Sequence, residues 1–186
     1  MTKKILLTGA TDGIGLVTAR KLIEQGHHVL IHGRNATKLA AVEQELAAMH
    51  VGVVESYLAD LSNMADVLAM AQAVAQKHNQ IDVLINNAGI LKTPQTMTAD
   101  GLDIRFVVNT LAPYLLTQKL LPLMGDAGRV VNLSSAAQAP VNLDALNGKV
   151  PLHDDMAAYA QSKLAITSTP LRNVACNDCK TLMLPA

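Results

Sequence analysis

Lys4-Ile5-Leu6-Leu7-Thr8-Gly9-Ala10-Thr11-Asp12-Gly13-Ile14-Gly15 is the stretch that decides the fold. A short apolar run is followed by a turn carrying three glycines, and then by apolar residues at helical spacing. The run is a buried strand. The spacing predicts a helix whose buried face carries Ile14, Val17, Leu22 and Ile23, because residues three and four apart share one side of a helix. Gly26 ends it, as glycine commonly does one residue past a helix.

Outward from this unit the same alternation continues. Residues 28–32 read as a second strand, and Asn35 is a good N-cap for a helix over 36–49, since its side chain can accept a free backbone N–H. Residues 51–58 are a third strand, with a helix over 62–78 capped by Ser62. Residues 82–86 give a fourth strand, residues 102–124 one long helix, and 129–133 a fifth strand. Residues 136–155 are loop-like, a helix covers 156–169, and 181–185 can form a sixth strand. Short strands alternating with longer helices imply crossover connections and a parallel sheet covered on both faces. The expected class is a doubly wound α/β fold of the Rossmann type.

The chain has 186 residues, 50% of them hydrophobic and 16% charged. That length suits one domain, residues 1–186, with ample material for a core. Lys+Arg and Asp+Glu both number 15, so no electrostatic argument supports a nucleic-acid or membrane-surface partner. No apolar run approaches the length of a membrane span, and a cytoplasmic location is the expectation. The only cysteines, Cys176 and Cys179, form a C-x-x-C pair without further ligands nearby. We expect incidental thiols and no metal site.

The glycine turn lies where open α/β sheets bind ligands, at the carboxyl end of a strand. Glycines let a backbone approach a pyrophosphate, and a helix N-terminus offers unpaired N–H groups and partial positive charge. The G-x-x-x-G-x-G spacing differs from G-x-G-x-x-G, and no Gly-Lys-Ser/Thr follows to make a P-loop.

Further signatures follow in order: Asp60-Leu61 after the third strand, Asn86-Asn87-Ala88-Gly89 after the fourth, Asn109 in the long helix, Ser134-Ser135 after the fifth strand, and Tyr159-x-x-x-Lys163. Together with residues 8–15 they resemble the short-chain dehydrogenase/reductase family over residues 4–168. The long stretch between Ser135 and Tyr159, with Leu111-Ala112-Pro113-Tyr114, resembles the retinol-dehydrogenase-like branch.

The resemblance implies a nicotinamide cofactor held by Gly9, Thr11, Asp12, Gly13, Ile14, Gly15, Arg34, Asn35, Asp60, Leu61, Asn87, Ala88 and Gly89, with Tyr159 and Lys163 also in contact. Arg34 ends the second strand with no acid beside it. It can pair with the 2′-phosphate of NADP, so NADP is expected over NAD. Asp12 stands where many NADP-preferring relatives carry a second basic residue.

The resemblance also implies four catalytic residues. Tyr159 is the general acid, and Lys163, one helical turn on, is its activator. A tyrosine hydroxyl ordinarily ionises near pH 10, and an adjacent ammonium stabilises the phenolate. Ser135 orients the substrate oxygen, and Asn109 supports the long helix and a water that links Lys163 to solvent.

Beyond residue 168 the pattern departs. Thr169-Pro170 interrupts a helix at a cost of about 3 kcal/mol, residues 170–186 form an atypical tail, and the family's substrate-covering helices and seventh strand do not follow. Two functions therefore stand open. One is an oxidoreductase that interconverts a small-molecule carbonyl and an alcohol. The other is a dinucleotide-binding protein without turnover, acting through association. By resemblance a homodimer or homotetramer is implied.

Overall fold

The computed structural model describes residues 1–168 and the backbone of residues 180–184. Pro170, Cys176, Cys179 and Pro185 lie outside the described residues, and so do the expectations attached to them.

Six parallel strands form one sheet in the order β3-β2-β1-β4-β5-β6: β1 Lys4–Leu7, β2 His28–Gly33, β3 Val53–Leu58, β4 Val83–Asn86, β5 Arg129–Leu133 and β6 Lys180–Leu184. The doubly wound α/β class is what the residues form. β1 sits centrally, with Leu6 opposite Leu30 of β2 and Leu84 of β4. The order reverses between β1 and β4, and a crevice opens at the carboxyl ends of strands at such a point.

Alternation along the strands sends side chains to two layers. Leu6, Leu30 and Leu84 pack with Val67, Met70 and Val74 of α3 (Met64–Lys77) and with Leu116 and Leu120 of α5 (Ala112–Leu120). Leu7, Val29 and Ile31 pack on the other face with Ala19 and Ile23 of α1 (Gly13–Glu24) and with Leu39, Val42 and Leu46 of α2 (Ala36–Ala47). Each such fully buried side chain contributes about 1.5–3 kcal/mol relative to exposure.

Several expectations are corrected. The buried face of α1 is Gly15, Ala19 and Ile23, whereas Ile14 and Val17 are 62% and 50% exposed. Small residues take the inner face because α1 starts against the glycine turn and approaches the sheet closely. The N-cap of α3 is Asn63, which accepts from Ala65 N, while the Ser62 hydroxyl turns back to Asp60. The third strand starts at Val53, since His50 takes φ 54 and the chain is still turning there.

The long helix is not uniform. It runs as α4 (Ile104–Phe106), a π turn (Val107–Leu111), α5, and a 3-10 turn (Leu121–Leu123). Residues 136–155 also contain a short helix, α6 (Leu143–Leu146), ahead of α7 (Asp155–Ser168).

Candidate active site

The glycine turn is held by its neighbours rather than by itself. Gly9 takes φ +66, and a Cβ there would lie 2.8 Å from Ala88 Cα. A Cβ on Gly15 would lie 2.0 Å from the Gly9 carbonyl oxygen. Thr8 Oγ1 accepts the N–H groups of Asn87 and Ala88 at 3.0 and 3.1 Å. Asn87 Nδ2 donates to the carbonyls of Thr8 and Gly9 at 2.9 and 3.0 Å. Residues far apart in sequence thus lock the two signature segments face to face.

His32, buried at the end of β2, completes the brace. Its Nδ1 accepts the Gly9 N–H at 3.1 Å, so the proton sits on Nε2, which donates to the Ala59 carbonyl at 3.0 Å. Burial lowers its pKa below the usual histidine range and keeps it neutral.

These elements enclose a cavity of about 560 Å³, within the range of small-molecule and cofactor sites. Its lining includes Gly9, Thr11, Asp12, Gly13, Ile14, Gly15, Arg34, Asn35, Asp60, Leu61, Asn87, Ala88 and Gly89. It also includes His32, Gly33, Lys38, Ile90 and Val108, none of which the sequence singles out. The N-terminal turn of α1 abuts it, capped by Asp12, which accepts the Gly13 N–H at 2.8 Å.

The charges at the corner between β2 and α2 are unequally committed. Among the described residues the Arg34 guanidinium has no hydrogen-bond or ion-pair partner, and it is exposed. Lys38 Nζ stands 3.6 Å from Asp12 Oδ2. Lys38 is a second cation at the same cavity, and its place on the first turn of α2 was the signal that could have found it. Asn35 Oδ1 is taken by the Lys38 N–H as the cap of α2. The Asp60 carboxylate accepts the N–H and hydroxyl of Ser62.

Of the four residues expected to be catalytic, none lines this cavity, and two reach its wall from behind: Asn109 at Ile90 and Lys163 at Gly89. Asn109, 0% exposed, lies in the π turn, a helix variant often found at functional sites. Its Oδ1 accepts the Ile90 N–H at 2.8 Å, and its Nδ2 donates to the Ile90 carbonyl and to Ser162 Oγ, each at 2.9 Å. Lys163 Nζ donates to the Leu133 carbonyl at 2.7 Å and lies 5.7 Å from the centroid of the Tyr159 ring. A Cβ on Gly89 would lie 3.2 Å from Lys163 Nζ and 3.4 Å from Asn109 Oδ1. Gly89 is therefore where the cavity meets the lysine.

Burial lowers the Lys163 ammonium pKa to about 8. The two serines divide the work. Ser134, buried, donates its hydroxyl to the Lys163 carbonyl at 2.8 Å. Ser135 accepts the Ala137 N–H at 3.1 Å, which leaves its own proton available to donate. No group of three or more His, Cys, Asp or Glu side chains among the described residues is arranged to hold a metal ion. No helix of the described residues is long and apolar enough to cross a membrane.

Comparison with known proteins agrees with this geometry. The short chain dehydrogenase family model matches residues 3–171. Human polyprenol dehydrogenase is 38% identical over 170 residues, covering 87% of this chain and 51% of that protein. Human retinol dehydrogenase 13 is 33% identical over 169 residues, covering 88% and 51%. The chain thus spans about half the length of these curated relatives. A metagenomic short-chain oxidoreductase solved in complex with NADP superimposes with a TM-score of 0.71 at 37% identity, covering 89% of this chain and 70% of that one. A glycine turn braced against Asn87–Gly89, a tyrosine and lysine one helical turn apart, and a family match over most of the chain lead to one conclusion: this chain belongs to the short-chain dehydrogenase family and is similar to its retinol and polyprenol dehydrogenases.

Proposed function

We propose that the protein binds a nicotinamide dinucleotide, NADP in preference to NAD, and interconverts a carbonyl and an alcohol. The observation that carries this reading is the placement of Lys163 between Gly89 of the cavity wall and the Tyr159 ring. A proton-handling pair there borders directly on a cradle shaped for a dinucleotide.

The residues present fit such a group. The absence of Cβ atoms at Gly9 and Gly15 lets the turn pack tightly against Ala88 and on itself, an added Cβ at Gly13 would meet only open space, and the N-terminus of α1 favours a pyrophosphate. Arg34, without a competing partner among the described residues, suits the 2′-phosphate, and Lys38 adds a second positive charge. The solved NADP complex of a relative supports the same choice.

When bound, the reduced nicotinamide supplies a hydride. The rest falls to the chain. The Tyr159 hydroxyl delivers a proton to the carbonyl oxygen. The Lys163 ammonium stabilises negative charge on that phenol oxygen. Ser135 donates to the substrate oxygen and holds it toward Tyr159. Asn109 acts through Ile90 and Ser162, fixing the wall and the helix on either side of the reacting centre.

The experiment is a thermal-shift titration with NADPH and NADH, followed by NADPH-dependent reduction of para-nitrobenzaldehyde. A cofactor that binds only the folded state adds about 2.7 kcal/mol at a hundredfold excess over its dissociation constant. The expected result is a larger shift with NADPH and turnover that Tyr159→Phe abolishes. Binding of NADPH with no carbonyl reduction would identify a dinucleotide-binding protein without this activity, and no shift with either nucleotide would overturn the reading altogether.

A further inference from the structure

Arg105 is the largest fully buried side chain among the described residues. Its Nε donates to Asp103 Oδ1 at 2.8 Å and its Nη2 to Asp103 Oδ2 at 2.6 Å. Its Nη1 donates to Asp155 Oδ1 at 2.5 Å, and its Nη2 also reaches the Leu152 carbonyl at 3.1 Å. Hydrogen bonding to Asp103 holds the guanidinium proton more tightly than usual.

Burying such a cluster is expensive, and apolar side chains of similar volume commonly pack as well or better. What a guanidinium adds is a rigid fork of donors that fixes distances and angles. This fork spans 50 residues of sequence. One end is α4, which leads directly into the π turn carrying Asn109. The other is Asp155, the first residue of α7, four before Tyr159 and hence one turn away on the same face.

Farther along, α7 is tied at residues 160–163: the Ala160 carbonyl accepts the Ala139 N–H at 3.3 Å and Gln161 Oε1 accepts the Asn142 N–H at 2.9 Å. Ser162 Oγ accepts from Asn109, and the Ser162 carbonyl accepts from Thr110 Oγ1 at 2.8 Å. Lys163 is bound to Leu133 and Ser134. Tyr159 lies between this anchored turn and the first turn, where Asp155 meets Arg105. The cavity lining contains no residue of α7.

We propose that Arg105 is a positioning residue: through Asp155 it fixes the first turn of α7, and with it the placement of Tyr159 against Lys163. The inference rests on the reading of Tyr159 as proton donor. Without the clamp the first turn frays locally, so proton delivery suffers while the nucleotide cradle is untouched.

The test compares the unaltered protein with Asp155→Ala and Asp155→Asn. The Asp155 side chain is 39% exposed, so its loss leaves a folded protein, and Asn keeps an acceptor for Arg105. Asp155→Ala should lower kcat for para-nitrobenzaldehyde about tenfold while KM for NADPH stays within about twofold, the signature of a lost transition-state arrangement. Amide hydrogen exchange over residues 156–160 should quicken about tenfold with residues 162–166 unchanged. Asp155→Asn should fall between the two in both readouts.

Exchange that is unchanged, or that quickens evenly along α7, overturns the proposal. A lower melting temperature with kcat intact also overturns it, because the contact would then be structural only. If the unaltered protein reduces no carbonyl, the functional reading fails, and the exchange pattern alone then decides whether the clamp holds the first turn.

Discussion

Asn109 and Ile90 exchange a full pair of hydrogen bonds: the Asn109 amide accepts the Ile90 N–H at 2.8 Å and donates to its carbonyl at 2.9 Å. One side chain in the π turn thereby satisfies both polar groups of a residue in the cavity wall. The same amide reaches Ser162 on α7. A single buried group therefore couples the wall of the nucleotide cavity to the helix that carries Tyr159 and Lys163.

Asn109→Leu should cost about 3 kcal/mol, because it leaves partly buried backbone groups without partners. It should also weaken NADPH binding by loosening the wall at Ile90. Urea unfolding and an NADPH titration check both effects. Equal stability of the Leu variant and the unaltered protein would refute the coupling.

Lys163 carries a cost of its own. The fall from 10.5 to about 8 corresponds to about 3 kcal/mol of disfavoured charge. The unfolded chain holds this proton up to about pH 10.5, and the folded one releases it near pH 8. Protein stability therefore rises with pH between these limits, and the burden is greatest below pH 8. Lys163→Met should stabilise the protein at neutral pH by about 1–2 kcal/mol after the lost bond to Leu133 is counted. The same change should abolish turnover. A destabilised Met variant at pH 7 would contradict this account.

Two glycines in one turn should respond differently to the same methyl group. At Gly13 an added Cβ meets nothing within 4 Å, but φ is +51, so Gly13→Ala should cost about 1–2 kcal/mol. At Gly15 the Cβ would strike the Gly9 carbonyl. Gly15→Ala must therefore displace the turn, and both a larger loss of stability and the loss of NADPH binding are expected. Thermal melts with and without NADPH distinguish the two, and similar behaviour would count against the close packing of α1 on Gly9.

His32 makes the cradle acid-sensitive. Its pKa is lowered by burial, so below about pH 6.5 the unfolded chain takes a proton that the folded chain resists. Stability from this group is complete above that pH and is lost as pH falls through the folded value. Protonation at Nδ1 would also remove the acceptor for Gly9. His78, likewise lowered chiefly by burial, acts in the same direction. His32→Gln should flatten the decline of stability between pH 7 and pH 5 without removing it. Denaturant midpoints across that range provide the check, and an unaltered slope would exclude His32 as a contributor.

Much of the fold is legible in short stretches of residues. The strand over 129–133 stands where expected, and Asn35 caps α2 through the Lys38 N–H. Both rest on interactions within a few residues. The glycine turn is legible for the same reason, since a backbone with φ +66 at Gly9 and φ +51 at Gly13 calls for glycine whatever surrounds it. The buried face of α1 was misread because apolarity identifies a helix, but contact with the sheet decides which side turns inward. Close approach there favours Gly15 and Ala19 over Ile14 and Val17.

His32 and Arg105 had no local signal to mark them, and Lys38 had only its place on the first turn of α2. His32 matters because Gly9, 23 residues away, and Ala59, 27 residues away, meet its two ring nitrogens. Lys38 matters because α2 begins beside Asp12. Arg105 matters because Asp155 arrives from the far end of a loop to share its guanidinium. Local conformational preference, written in spacing and in glycine, determines which segments become strands, turns and helices. Which polar atoms are buried, and what pairs with them, depends on contacts between distant residues that exist only once those segments have packed.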